Sequence, residues 1–143
     1  MADALVAQLG KLVGTWSLDK SEKFDEYMKA VDVGFVMRKL GSTVKPDVKI
    51  GAAGDEVFIR SESSVSTHEI KFKLGEEFVE TTADGRKPKT VIELKDGKLI
   101  QVQKGDGIVP STITRELQDD NTLVCTCEAK DVVCKRYYKR NEK

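Results

Sequence analysis

A chain of 143 residues has the length of one domain, enough to bury roughly two-thirds of the surface its unfolded form exposes. Its 24 basic and 24 acidic residues cancel, so no global field gathers nucleic acid or an anionic membrane, and any such role needs a local patch. No apolar run approaches the ~20 residues of a transmembrane helix.

The opening "MADALVAQLGKLVG" carries Asp3 and Lys11 and has no basic segment followed by a sustained apolar run, so it does not read as a secretory signal. From Val13 to Leu18 the pattern is that of a strand. The period then changes: Phe24, Tyr27, Met28 and Val31 fall at i, i+3, i+4 and i+7, one stripe of a short helix with Glu22, Asp25 and Glu26 near its positive end. Val33, Val36, Met37 and Leu40 repeat the spacing, with Asp32 placed as an N-cap and Gly41 as a stop. Two short helices over residues 23–41 are thus joined by almost nothing. A DNA-reading pair would be longer and would show polar, base-reading side chains, whereas these stripes are apolar and the rest of the chain is β.

After Gly41 the period is mostly two. In "EVFIRSE" Val57 and Ile59 oppose Phe58 and Arg60, and in "HEIKFKLG" Ile70, Phe72 and Leu74 oppose Glu69, Lys71 and Lys73. "TVIELKDGKLIQVQ" reads as two strands around a type I′ turn at Asp96-Gly97. Turn-like groups separate runs of six to eight residues at near-regular spacing, which predicts an antiparallel meander closed into a barrel, or a sandwich, in a single domain.

Parity places two arginines on apolar faces. In "STITREL" Arg115 lies between Ile113 and Leu117; in "VVCKRYYKR" Arg136 shares a face with Val132, Cys134 and Tyr138, while Lys135, Tyr137 and Lys139 point away. In "TLVCTC" Leu123, Cys125 and Cys127 fall together. If these faces are interior, so are two guanidiniums. One reading pairs each with an internal carboxylate such as Glu80; the other leaves a cationic patch for an anion. Arginine suits a carboxylate because it stays charged when desolvated and offers a planar fork of donors, and Tyr138 adds a neutral hydroxyl. Aliphatic surroundings would then select a ligand with one acidic head and a long apolar body. The three cysteines, in a chain with no export signal, suit a reduced, intracellular protein; a Cys-x-Cys pair plus Cys134 lacks a fourth ligand, so no metal is expected. The lone His68 has no nucleophile elbow beside it, so no enzyme is expected.

Long segments carry a further signal. "GTWSLDKSEKFDEYMKAVDVGFVMRKLG", "STVKPDVKI", "IKFKLGEEFVETTADGRK", "DGKLIQVQK" and "TITREL" through "VVCKRYYKR" resemble, in order, the cytosolic fatty-acid-binding proteins of the intracellular lipid-binding family, over about Val13 to Lys139. The resemblance implies an all-β fold, a ten-strand antiparallel barrel flattened into a clam and lidded by the helix pair. It also implies a non-covalent carrier of long-chain fatty acids with no cofactor. The family's carboxylate site maps onto Arg115, Arg136 and Tyr138. A carrier of retinoic acid or another acidic lipid is the closest rival, since the same set holds that ligand too.

The resemblance further implies that Phe24, Met28, Val33 and Met37 form the inner side of the lid. Pro46, Ser63, Val65, Ala83, Asp84 and Arg86 map near the portal and ligand tail; simple packing is the alternative for the apolar ones, and solvent exposure for Arg86. Four departures stand out: Lys23 where a capping Asn or His is usual, Val65 where a phenylalanine gate is common, Gly105 in place of a tryptophan, and residues 1–10 as an N-terminal extension, helical or disordered. Lys29, Arg38 and Lys39 make a basic cluster on the outer side of the helix pair, suited to transient contact with anionic membranes or to nuclear entry, or simply to solvation. The expectation is a cytoplasmic monomer that does not bind nucleic acid, with the nucleus as a second location.

Overall fold

The computed structural model describes residues 2–141. Helix α1 (Ala2–Leu9) runs into one 3-10 turn (Gly10–Leu12), followed by β1 (Gly14–Glu22), α2 (Phe24–Ala30) and α3 (Phe35–Thr43). Nine more strands complete the chain: β2 (Asp47–Ala53), β3 (Glu56–Glu62), β4 (Thr67–Phe72), β5 (Phe78–Val79), β6 (Lys89–Lys95), β7 (Lys98–Lys104), β8 (Ser111–Asp119), β9 (Thr122–Ala129) and β10 (Val132–Asn141). All neighbours are antiparallel, in the order β4-β3-β2-β1-β10-β9-β8-β7-β6-β5. The expected meander therefore closes by setting the first strand beside the last. One seam, between β4 and β5, stays unpaired. Across it the rings of Phe72 and Phe78 stack with centroids 5.7 Å apart, and Gly75 N–H donates to Ile92 O at 2.9 Å.

The alternation in the strands sorts side chains as parity requires. Val57 and Ile59 of β3, Phe72 of β4, Ile92 of β6 and Leu99 of β7 are buried in one cluster with Trp16 of β1. The Asp96-Gly97 hairpin forms with both residues at positive φ, 52° and 78°, the geometry a type I′ turn needs to match strand twist. At the base, Trp16 is wholly enclosed; its indole N–H donates to Leu12 O at 3.1 Å, and the Arg140 guanidinium lies 4.2 Å from its ring centroid. Arg140 also donates to Lys11 O, Val13 O and Asp120 O, so the N-terminal turn is sewn to the far end of the chain. Leu9 and Leu12 sink into the core, which is why the stretch before β1 is helical and docked.

The helix pair differs from expectation at its boundaries. Asp32 is not the cap of α3: it sits at φ 67° in the link, and Gly34 occupies the capping position. Gly41 does not end α3, which continues to Thr43; a glycine suits that interior position because a Cβ there would meet Met28 Sδ at 3.1 Å. The stripe Val33, Val36, Met37, Leu40 also divides. Val33 is buried ahead of the helix, while Phe35, Val36, Met37 and Leu40 are exposed, because α3 spans the mouth of a cavity rather than packed atoms. Helix α2 is the docked member: Tyr27 and Met28 are buried, and the Tyr27 hydroxyl lies 2.5 Å from Ser111 Oγ of β8.

Lys23, at the start of α2, adopts φ 62° and makes no side-chain cap. A lysine there bears left-handed backbone strain without offering the helix an acceptor. Lys23→Asn is expected to raise the unfolding free energy by roughly 0.5–1 kcal/mol. Urea denaturation checks this, as an increased midpoint at unchanged slope.

Candidate functional site

Strands β8, β9 and β10 build the polar floor of the barrel by register alone. Arg115 pairs with Cys125, and Cys125 pairs with Arg136. Two guanidinium-bearing residues therefore flank one thiol on a single interior row. Tyr138 lies one repeat further along β10, opposite Leu123. Both Arg136 and Tyr138 are 6 % exposed; Lys135 and Lys139, at the alternate positions, are exposed. Parity thus holds in β10; in β8 residues 112–117 are all partly buried, and Arg115 is among those lining the cavity.

The charges on this row lack a balancing carboxylate. Arg136 Nε donates to Tyr138 Oη at 3.3 Å, and its guanidinium carbon lies 3.6 Å from the centroid of the Phe24 ring on α2. Arg115 Nη1 donates to Gln101 Oε1 at 2.7 Å. Among the described residues neither forms an ion pair. Glu80 is interior, as the alternative reading required, but its Oε1 accepts from Thr90 Oγ1 (2.9 Å), Gln101 Nε2 (2.8 Å) and Gln103 Nε2 (2.9 Å), not from an arginine. Formal charges of the cavity polar groups, with Asp84 cancelling Arg86, leave one net positive charge.

Local electrostatics keep the row in the protonation state that a carboxylate needs. Burial works against the Arg136 charge, the adjoining Tyr138 oxygen and thiols support it, and the balance holds the guanidinium above its ordinary value. Burial pushes the Tyr138 hydroxyl up, so it remains a neutral donor. The Cys125 thiol is pushed up by its bond with Cys127 and by burial. Cys127 is drawn down by Cys125, but its bond to Cys134 and burial prevail and push it up to about 12. These thiols line the row as neutral groups rather than nucleophiles.

Above the row lies a cavity of about 330 Å³. Its walls include all thirteen residues picked from the sequence: Arg115, Arg136 and Tyr138 on the floor; Phe24, Met28, Val33 and Met37 from the helix pair; and Pro46, Ser63, Val65, Ala83, Asp84 and Arg86 around the turns opposite. Arg86 is not the solvent-facing residue its turn suggested. Its side chain is 18 % exposed and pairs with Asp84, Nε to Oδ2 at 2.6 Å and Nη2 to Oδ1 at 3.2 Å, leaving Nη1 enclosed without a partner. Val65, at the gate position, is 53 % exposed while still facing the cavity. Gly105 has φ 142°, a conformation that side chains rarely adopt. Of the basic cluster, Lys29 and Lys39 are exposed, but Arg38 is occupied: it donates to Asp25 Oδ1 at 3.3 Å and to Val33 O at 2.9 Å, holding α3 to α2.

Sequence reasoning missed Tyr27, His68, Thr90, Gln101 and Gln103, all buried or partly buried, four of them in the cavity wall with only Thr90 behind it. The usable signal was in "KLIQVQK". Leu99 sits directly opposite Leu94 across the hairpin, which turns Gln101 and Gln103 inward with it.

Residues 13–141 match the family described as "Lipocalin / cytosolic fatty-acid binding protein family". The chain is 47 % identical over 137 residues to Bos taurus fatty acid-binding protein 5, covering 96 % of this chain and all of that one. A solved Schistosoma mansoni fatty acid binding protein in complex with arachidonic acid is 35 % identical, covers 94 % of this chain and 99 % of its own, and superposes with a TM-score of 0.89. A fatty acid-binding protein from Drosophila melanogaster brain tissue is 48 % identical, with 89 % and 98 % covered and a TM-score of 0.82.

Proposed function

The chain belongs to the lipocalin / cytosolic fatty-acid binding protein family, and on that premise we propose that it is a non-covalent carrier of long-chain fatty acids in the cytosol. The observation that carries this reading is the interior row: two guanidiniums without a carboxylate partner and one neutral phenol, opening into a largely apolar cavity. The fatty-acid carboxylate supplies the missing anion to Arg115, Arg136 and Tyr138. Such charge-assisted bonds are short and strong where water is excluded. The tail lies against Phe24, Met28, Val33 and Met37 and reaches the turns bearing Pro46, Ser63, Val65 and Ala83, with the Asp84–Arg86 pair at the rim. Each buried CH₂ contributes roughly 0.8 kcal/mol of gross transfer free energy, so the tail dominates affinity and the head group sets orientation and selectivity. No bond is made or broken, and the protein acts as a monomer.

Calorimetric titration with oleate and with methyl oleate tests this. The acid is expected to bind at least about tenfold tighter, the worth of one charged hydrogen bond in a desolvated site. Equal affinities would remove the arginine row from the mechanism.

Delivery is proposed to use the outer side of the helix pair. Phe35 and Val36 are 67 % and 76 % exposed at the start of α3, and Lys39 Nζ stands 6.0 Å from the Phe35 ring. Apolar side chains rimmed by Lys29 and Lys39, with Arg38 bracing the helix, suit transient contact with an anionic bilayer; the same cations would serve nuclear entry. Transfer of a fluorescent fatty acid to vesicles is expected to be faster for anionic than neutral lipid, and to slow as salt is raised. Rates indifferent to both charge and salt would sink the membrane contact.

A further inference from the structure

The carboxylate row leaves one polar cluster of the cavity without a task. Glu80 is 6 % exposed and concentrates three hydrogen bonds on Oε1, from Thr90, Gln101 and Gln103. Its other oxygen, Oε2, accepts none among the described residues. Gln103 is 2 % exposed, and its amide N–H₂ is turned to Glu80, so its carbonyl faces elsewhere; that Oε1 is buried with no partner. One N–H of each glutamine amide is turned to Glu80, and the two oxygens left without a hydrogen bond among the described residues, Glu80 Oε2 and Gln103 Oε1, are acceptors. Arg115 does not fill them: among the described residues it donates to Gln101 Oε1 and to neither of these oxygens.

A hydrocarbon chain lying against these atoms would leave a carboxylate oxygen and an amide carbonyl desolvated and unpaired, which costs free energy. A group that brings its own O–H would satisfy them. We propose that Glu80 and Gln103 form a hydroxyl subsite, by which the cavity selects a long-chain fatty acid bearing a hydroxyl group along its chain over the unsubstituted parent. This rests on the carrier reading, because the carboxylate held at Arg136 and Tyr138 fixes which carbon of the tail reaches the cluster. Water is the competing occupant, able to make the same bonds. The ligand hydroxyl prevails because it arrives already positioned by the anchored head and adds no separate ordering cost.

The test is to measure dissociation constants for stearate and for a series of monohydroxystearates that differ in hydroxyl position. At one position or more, the hydroxy acid is expected to bind about tenfold tighter than stearate. In Gln103→Met the ratio should fall to one or invert, and Glu80→Gln, which places a donor among donors, should do the same. The ratio is the readout, so a general loss of affinity or stability in either variant does not imitate the result. If stearate binds but every hydroxystearate binds no tighter, the inference is overturned; a preference that survives both substitutions overturns it as well. Failure of stearate itself to bind would instead overturn the carrier reading beneath it.

Discussion

Replacing Arg136 with glutamine is expected to lower oleate affinity by about a hundredfold and, at the same time, to make the ligand-free protein more stable by about 1–3 kcal/mol. The two effects share one cause. Arg136 is 6 % exposed, and its neighbours are the Tyr138 hydroxyl, the Phe24 ring and the Cys125 row, none of which carries a formal negative charge. Desolvating a guanidinium costs several kcal/mol, and the cation–π contact and one 3.3 Å hydrogen bond return only part of that. A bound carboxylate returns the rest. Glutamine removes the cost in the free protein and the anchor in the complex, so titration and urea unfolding should move in opposite directions. Unchanged oleate affinity would place the head group elsewhere. Lower stability would mean that the Phe24 contact outweighs desolvation. Arg115→Gln should show the same pattern more weakly, because Arg115 is only partly buried and its Nη1 already has Gln101 Oε1.

The largest loss of stability is expected at the opposite end of the barrel. Trp16→Ala should cost about 3–5 kcal/mol, a large share of the 5–15 kcal/mol that holds a typical domain together. Trp16 is wholly enclosed, closes the 3-10 turn through Leu12 O and carries the stacked Arg140, whose own bonds reach Lys11, Val13 and Asp120. Removing the indole opens a cavity and leaves the N-terminal turn without its donor. Far-UV circular dichroism in urea should show a midpoint well below that of the unaltered protein, the chain's one tryptophan being unavailable as a fluorescent probe. A loss below about 1 kcal/mol would show that the base of the barrel collapses around the gap.

Strand character and the placing of Arg115, Arg136 and Tyr138 were legible in the sequence because a period of two allows one face assignment once cysteines and aliphatics are set inward. The same rule misleads in β7. Ile100 and Val102 look like the buried row of "KLIQVQK", yet Val102 is 41 % exposed and Gln101 is 1 % exposed. Apolarity chooses the inward face only where the interior is apolar, and here the interior holds Glu80, whose oxygen needs the two amides. The helix pair failed differently. Its spacing gave two helices, but α3 has nothing solid beneath it, so periodicity could not say which of Val36, Met37 and Leu40 turned inward. The link was misread because Asp32 was given a capping role, whereas Asp also tolerates the left-handed backbone that the turn requires. Arg86 falls in the cavity wall where the resemblance mapped it, and not in solvent as the alternative had it, because Asp84 closes the turn over it, a pairing across a glycine that spacing alone does not reveal.

The pairing of β1 with β10, in which Thr15 stands opposite Asn141, also governs how the protein is made. Contacts between the most distant strands form slowly, because the loop to be closed is nearly the whole chain. During synthesis β1 leaves the ribosome well before β10 and must wait for it, with one edge unpaired and open to aggregation. The strand that ends this wait is also the one that carries Arg136 and Tyr138. A nascent chain halted before Val132 would therefore have neither a closed sheet nor Arg136 and Tyr138 of the interior row, so completing the barrel and completing that row are a single event.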